Sequence, residues 1–226
     1  MKKIVFILLA AGLYASSYGF FMFDIRGNIG VPAFYTYQFQ TNQNSLMGST
    51  IAWGTVLHLL APFEEGEIQH FGIASGVLFN QQWFWKYVDD TDGHSFYDFD
   101  VRLNWVQIPL CLTYAWLSPE AYLTIDAGGY YSFFNGGRRS FEYGWNYGGS
   151  YFNSSYTNNE ILSDYGIHID VGLGLSMFGY GNYPAIMGFG SGITIDISLK
   201  DVIETADESL TYWGFSIYLC LPFFIP

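Results

Sequence analysis

The sequence predicts an all-β chain folded as an eight-stranded, antiparallel, up-and-down transmembrane β-barrel. Three observations predict it. First, residues 164–178 alternate: Tyr165, Ile167, Ile169, Val171, Leu173, Leu175 and Met177 form one set, and Gly166, His168, Asp170, Gly172, Gly174 and Ser176 the other. Successive side chains of a strand point to opposite faces, so one face is apolar and the other small and polar. The polar face carries no Lys, Arg or Glu, which suits a crowded lumen better than bulk water. Second, aromatic residues make up 21% of the chain and charged residues only 12%, whereas a soluble domain carries about 25% charged residues. Rings in such excess suit the girdles at membrane interfaces. Third, strand-like segments recur along the chain with connections of alternating size.

Residues 1–19 read as a secretory signal. Lys2 and Lys3 form its basic start and Ile4 to Leu13 its apolar run. Ser17-Tyr18-Gly19 supplies the small residues before a cut at Phe20. The apolar run is too short to span ~30 Å of hydrocarbon. Residues 20–226 then form one barrel domain. Its eight expected strands are 21–37, 49–60, 71–87, 101–116, 120–134, 164–178, 188–199 and 209–221.

Period-two alternation supports several of these directly. The fifth sets Leu123, Ile125, Ala127, Tyr131 and Phe133 against Tyr122, Thr124, Asp126, Tyr130 and Ser132. The seventh sets Phe189, Ile193, Ile195, Ile197 and Leu199 against Gly190, Gly192, Thr194, Asp196 and Ser198. The eighth sets Trp213, Phe215, Ile217, Leu219 and Leu221 against Tyr212, Gly214, Ser216, Tyr218 and Cys220. Connections 61–70, 117–119 and 179–187 are expected as inner turns, and 38–48, 88–100, 135–163 and 200–208 as outer loops. A soluble sandwich would also alternate. Its second face would meet water and call for Lys and Glu, whereas here that face carries Gly, Ser, Thr, Tyr and occasional Asp.

Net charge is −12, which argues against nucleic-acid binding, because neutralising phosphates takes clustered Lys and Arg. Cys111 and Cys220 fall in strands four and eight on the expected lumen side, as two separate thiols in preference to a bridge. Pro109 cannot donate to a ladder, so a bulge is expected there in strand four.

Asp24, Arg26, Asp126, His168, Asp170 and Asp196 all fall on the expected lumen face. With 178 opposite 188, Asp170 faces Asp196, and Asp126 lies beside them on strand five. Like charges so confined need a counter-charge, a cation or protonation. Two readings are open: a proton or cation site, and a polar network that locks the barrel. The second is preferred, because buried polar groups need partners in any case.

The 135–163 connection holds Trp145, Tyr147 and Tyr151, with other rings, among Gly, Asn and Ser. It reads either as a partner-binding surface or as a lid packed over the barrel mouth. Arg138 and Arg139 begin it, where they face anionic lipid headgroups or water. Asp89-Asp90-Thr91-Asp92-Gly93 lacks the remaining ligands of an EF-hand. The four His residues lack zinc-ligand spacing, and no Gly-x-Ser-x-Gly occurs. No metal, cofactor or enzymatic activity is therefore expected.

Residues 101–134 carry a more specific pattern. Leu103, Gln107, Ile108, Pro109, Leu110, Leu112 and Tyr114 are followed, after a short turn, by Ala127-Gly128. This resembles the PorT-like outer-membrane β-barrel domain family, as do Gly166, Gly172 and Gly174 further on. The resemblance implies the outer membrane of a diderm bacterium, eight strands and no enzyme activity. The chain departs from many outer-membrane barrels in ending on Pro226 rather than an aromatic residue. The expected role is structural or surface-binding, with outer-membrane lipid around the barrel and a protein or small-molecule ligand at the outer loops. A narrow porin-like transporter of small or hydrophobic molecules is the alternative, and a lipid-modifying barrel enzyme the third.

Overall fold

A computed structural model describes residues 20–39, 42–62, 68–89, 95–145, 148–155, 163–177, 187–200, 203–204 and 208–225. The expected signal segment and Asp90 to Gly93 lie outside these. The strands are β1 (Phe20–Phe39), β2 (Asn42–Pro62), β3 (Gln69–Asp89), β4 (Ser95–Leu117) and β5 (Ala121–Trp145). They continue with β6 (Gly148–Ser155), β7 (Asp164–Met177), β8 (Met187–Ser198), β9 (Ile203–Glu204) and β10 (Glu208–Ile225). Eight of them pair in the order β1-β2-β3-β4-β5-β7-β8-β10, and β10 closes back onto β1. Every pairing is antiparallel. The short strand β6 pairs with β5, and β9 with β10.

The alternation read from the sequence sorts inside from outside. On β10, Ile217 and Leu219 are each 57% exposed, whereas Tyr218 and Cys220 between them are buried. On β4, Leu110 and Leu112 are exposed and Cys111 and Thr113 buried. Water would make such an apolar exterior a liability, but hydrocarbon makes it the favoured surface. Closure also leaves the barrel wall no unpaired edge, as a span through lipid demands. Rings flank the band on β3 and β4. Phe71 meets Tyr114 edge-on near one rim at 5.2 Å. Near the other, Trp53 of β2 stacks on Phe79 at 4.5 Å.

The strands are longer than the sequence suggested. A tilted strand needs about 9–11 residues to cross a bilayer, but β4 has 23 and β5 has 25. The segment 135–163, expected as a loop, is largely sheet. β5 pairs with β4 as far as Trp145 opposite Ser95, and β6 then pairs along Arg138 to Trp145. A bulge lets β5 pass its Gly-Gly pair: the β4–β5 register shifts between Leu103 and Trp105, and Gly136 takes φ 115°. That conformation favours a residue without Cβ. Beyond it, Phe141, Tyr143 and Trp145 resume a period-two pattern.

The bulge expected at Pro109 is not there. β4 keeps one register through Ile108 and Pro109 opposite Tyr131 and Tyr130. On the β3 side the same register is kept, but the ladder skips from Ser75–Leu110 to Leu78–Gln107. Ser75 Oγ donates to the Pro109 carbonyl at 2.8 Å. The proline is thus absorbed by a local gap in one ladder.

The exterior band yields a direct test. Leu112 is 73% exposed in the middle of the apolar band on β4. Leu112→Arg should destabilise the barrel in lipid by about 2–4 kcal/mol, as measured by urea unfolding in vesicles. An unchanged midpoint would argue that water, not lipid, meets this face.

Candidate functional site

Of the six residues expected to form a lumen network, Asp24, Arg26, Asp126, His168 and Asp170 are buried and Asp196 is partly so. Arg26 of β1 is the centre of one cluster. Its Nη1 donates to Asp170 Oδ2 on β7 at 2.8 Å, and its Nη2 to Asp24 Oδ2 at 2.6 Å. Asp170 also accepts from Thr194 Oγ1 on β8 at 2.8 Å and from Tyr218 Oη on β10 at 2.7 Å. The Arg26 guanidinium lies over the Tyr218 ring, 4.5 Å from its centroid. One carboxylate thus joins three other strands around a single cation.

A histidine that the site reading did not include joins the second cluster. His58 Nε2 of β2 bonds Asp126 Oδ2 of β5 at 2.9 Å. Its Nδ1 lies 3.4 Å from Asp24 Oδ1, so the ring bridges two acids and links to the first cluster. The third cluster lies around Asp196. Its Oδ1 bonds His168 Nδ1 at 2.6 Å and accepts from Gln107 Nε2 at 3.1 Å. Gln107 Oε1 in turn accepts from Asn80 at 3.3 Å.

The expected facing of Asp170 and Asp196 is corrected by the register. Asp170 stands opposite Thr194, and Asp196 opposite His168. The shift is two residues, so no side chain changes face. It gives Asp170 a hydroxyl donor instead of a second carboxylate, and so avoids like charges directly opposed. Asp126 does stand opposite Asp170 across β5 and β7, but Asp126 turns to His58 and Asp170 to Arg26.

Glycine makes room for the network. Tyr218 lies where a Cβ on Gly172 or Gly192 would be, and Tyr122 occupies the same position over Gly174 and Gly190. The Gly172-Leu173-Gly174 run therefore seats two tyrosines. Tyr122 Oη meets Cys220 Sγ at 3.3 Å, and both cysteines are free and buried.

Apolar residues bound the polar layer. Met22, Leu60, Ala115, Leu117, Tyr122 and Phe224 form a buried cluster at the end of the barrel where β4 turns into β5. Phe84, Val101 and Leu103 are fully buried toward the other end. His58 and Asp170 are 0% and 1% exposed. Among the described residues, no group of three or more His, Cys, Asp or Glu side chains is arranged to hold a metal ion.

The surface candidates fare differently. Trp145 and Tyr151 have described backbones, opposite Gly148 and Glu142 in the β5–β6 ladder. Their side chains, and Tyr147 entirely, lie outside the described residues. Arg138 and Arg139 separate. Arg138 is exposed opposite Arg102, while Arg139 is on the lumen register opposite buried Val101.

No family model matches the chain, and no curated protein matches it. Solved structures do. The attachment invasion locus protein Ail of Yersinia pestis is similar at 8% identity, over 87% of this chain and 97% of Ail, with TM-score 0.32. Neisserial surface protein A is similar at 10% identity, over 89% of this chain and 96% of its own, with TM-score 0.36. The outer-membrane protease OmpT of Escherichia coli is similar at 7% identity, over 93% and 100%, with TM-score 0.42. In this chain, a closed antiparallel wall, an apolar exterior and a polar filled core invert the plan of a soluble protein. The chain is a closed, eight-stranded β-barrel of the transmembrane type.

The network makes a quantitative demand. Arg26→Met leaves Asp24 and Asp170 buried beside each other without their cation. It should cost about 3–5 kcal/mol, read from denaturant unfolding in detergent micelles. Arg26→Met combined with Asp170→Asn should recover part of that loss. A neutral single variant would show that the cluster does not hold the wall together.

Proposed function

We infer that this protein is a non-conducting barrel whose filled lumen makes a rigid mount for a sheet raised outside the membrane. The observation that carries this reading is the cross-strand bonding of buried side chains in the lumen. Arg26, Asp170, His58 and Tyr218 are all buried, with apolar residues above and below them. A porin-like path would need water along the axis, and an eight-stranded barrel has room only for its own side chains. The raised part is the surface left to meet a protein or small-molecule partner. It is sheet rather than loose loop, because β4, β5 and β6 pair there continuously. Contact residues held on strands keep their geometry better than residues on free loops.

The pattern at 101–134 supports a place beside the PorT-like domain family. In this fold its residues build the wall: Gln107 enters the lumen network, and Leu110 and Leu112 face outward. The resemblance therefore concerns how the barrel is built, and leaves the raised sheet free to differ in task.

Purified protein in a planar bilayer tests the reading. No reproducible single-channel conductance is expected. Removing residues 138–155 should leave a folded barrel that has lost its capture of an outer-surface partner. Stable ion steps from the intact protein would instead support the transporter.

A further inference from the structure

Two adjoining clefts open on the outside of the barrel wall, at the outer rim of the apolar band. The first, about 430 Å³, is lined by Gln81, Arg102, Asn104, Gly137, Arg138 and Ser155. The second, about 270 Å³, includes Ile51, Trp53, Phe79 and Asn135 in its lining. Gln81 and Asn104 line both, and Gln81 Nε2 donates to Asn104 Oδ1 at 2.9 Å. The two form one groove with a cationic end and an aromatic end.

The cationic end is unusual for this chain. Lys2 and Lys3 precede the barrel, and only Arg26, Lys86, Arg102, Arg138, Arg139 and Lys200 follow in a chain of net charge −12. Two of these six, Arg102 and Arg138, stand directly opposite each other in the β4–β5 ladder. Both face outward, because Val101 and Leu103 beside Arg102 face the lumen and are buried. Like charges in that position destabilise a sheet unless an anion bridges them. Asp100 only partly answers this. Its oxygens lie 3.4 and 3.5 Å from Arg102 Nε and Nη2, and it also accepts from Trp83 Nε1 at 3.0 Å. Trp83 holds the Arg102 guanidinium on its ring face, 4.3 Å from the centroid. Among the described side chains of the cleft, one positive charge is left over.

The position decides the class of anion. On β4 the apolar exterior runs from Trp116 to Val106, and Asn104 and Arg102 come next. That stretch spans about 25 Å of bilayer when tilted, so the arginines stand at headgroup level. The stacked Trp53 and Phe79 stand beside the acyl region. The amides of Gln81, Asn104 and Asn135 between them both donate and accept hydrogen bonds, as a hydroxyl-rich head requires.

We propose that this groove binds a phosphate-bearing lipid of the outer leaflet, with its phosphate bridging Arg102 and Arg138 and an acyl chain lying along Trp53 and Phe79. Arginine forks suit phosphate oxygens, and each charge-assisted contact in a poorly hydrated rim adds substantially to affinity. The bound phosphate would also relieve the Arg102–Arg138 opposition and tie β4 to β5 where the bulge weakens their ladder.

Native mass spectrometry of the whole protein in detergent tests this, with an acylated disaccharide bisphosphate as probe. Wild type should retain the probe, and retain its dephosphorylated form at least tenfold less. Arg138→Gln alters an exposed side chain and should keep the fold, checked by heat-modifiable migration on a gel. It should weaken the probe by about tenfold, and Arg102→Gln with Arg138→Gln by more. Trp53→Ala should weaken both forms of the lipid alike. Equal retention by wild type and both arginine variants would overturn the proposal. So would full displacement of the probe by millimolar inorganic phosphate, which would mark a site for a free anion and not a lipid.

Discussion

A narrow lumen crowded with side chains makes its buried charged groups seek partners across the barrel, and the rest of the barrel follows from that. Arg26 reaches from β1 to β7, His58 from β2 to β5, Tyr218 from β10 to β7, and Gln107 from β4 to β8. These bonds cross the lumen, whereas ladder bonds run only between neighbours. Each hydrogen bond to a charged group contributes roughly 1.5–3 kcal/mol net, and a partner left alone costs more than the bond was worth. The network therefore selects one register for the whole ring. A slip on one wall would unpair acids on another.

The outside obeys a different rule. Lipid gives no reward for burying apolar side chains in the barrel, so Leu112, Leu175 and Ile29 stay exposed. Burial goes to the polar set, to the small residues that make space for it and to the apolar side chains that bound it. Tyrosine over glycine is the recurring solution: Tyr218 and Tyr122 each need bare backbone beneath them. The wall is thin where the rings are thick.

Beyond the apolar band the sheet continues. β4 and β5 run well past the length needed to cross a bilayer and carry β6 with them. Where they leave the band, charge appears for the first time on the exterior, as Arg102 and Arg138. In the proposed function the barrel presents two working zones, a rim for lipid headgroups and a sheet for a partner. Neither depends on opening the lumen.

Alternation alone determined the class of fold and the face of each residue. A side chain's face depends on its parity in the strand, and parity survives errors in strand ends. That is why Asp24, Arg26, Asp126, His168 and Asp170 were all legible as lumen residues. His58 was missed because both alternating sets of β2 turn apolar near it, with Val56 and Leu60 inside and Leu57 and Leu59 outside. Only tertiary structure decided which acid meets which cation. Those choices depend on register between strands far apart in sequence, and a shift of two residues leaves every face unchanged while it exchanges every partner. The same holds for the 135–163 segment: its glycines and polar residues resemble a loop, until the pairing of β4 with β5 and β6 satisfies its backbone as sheet.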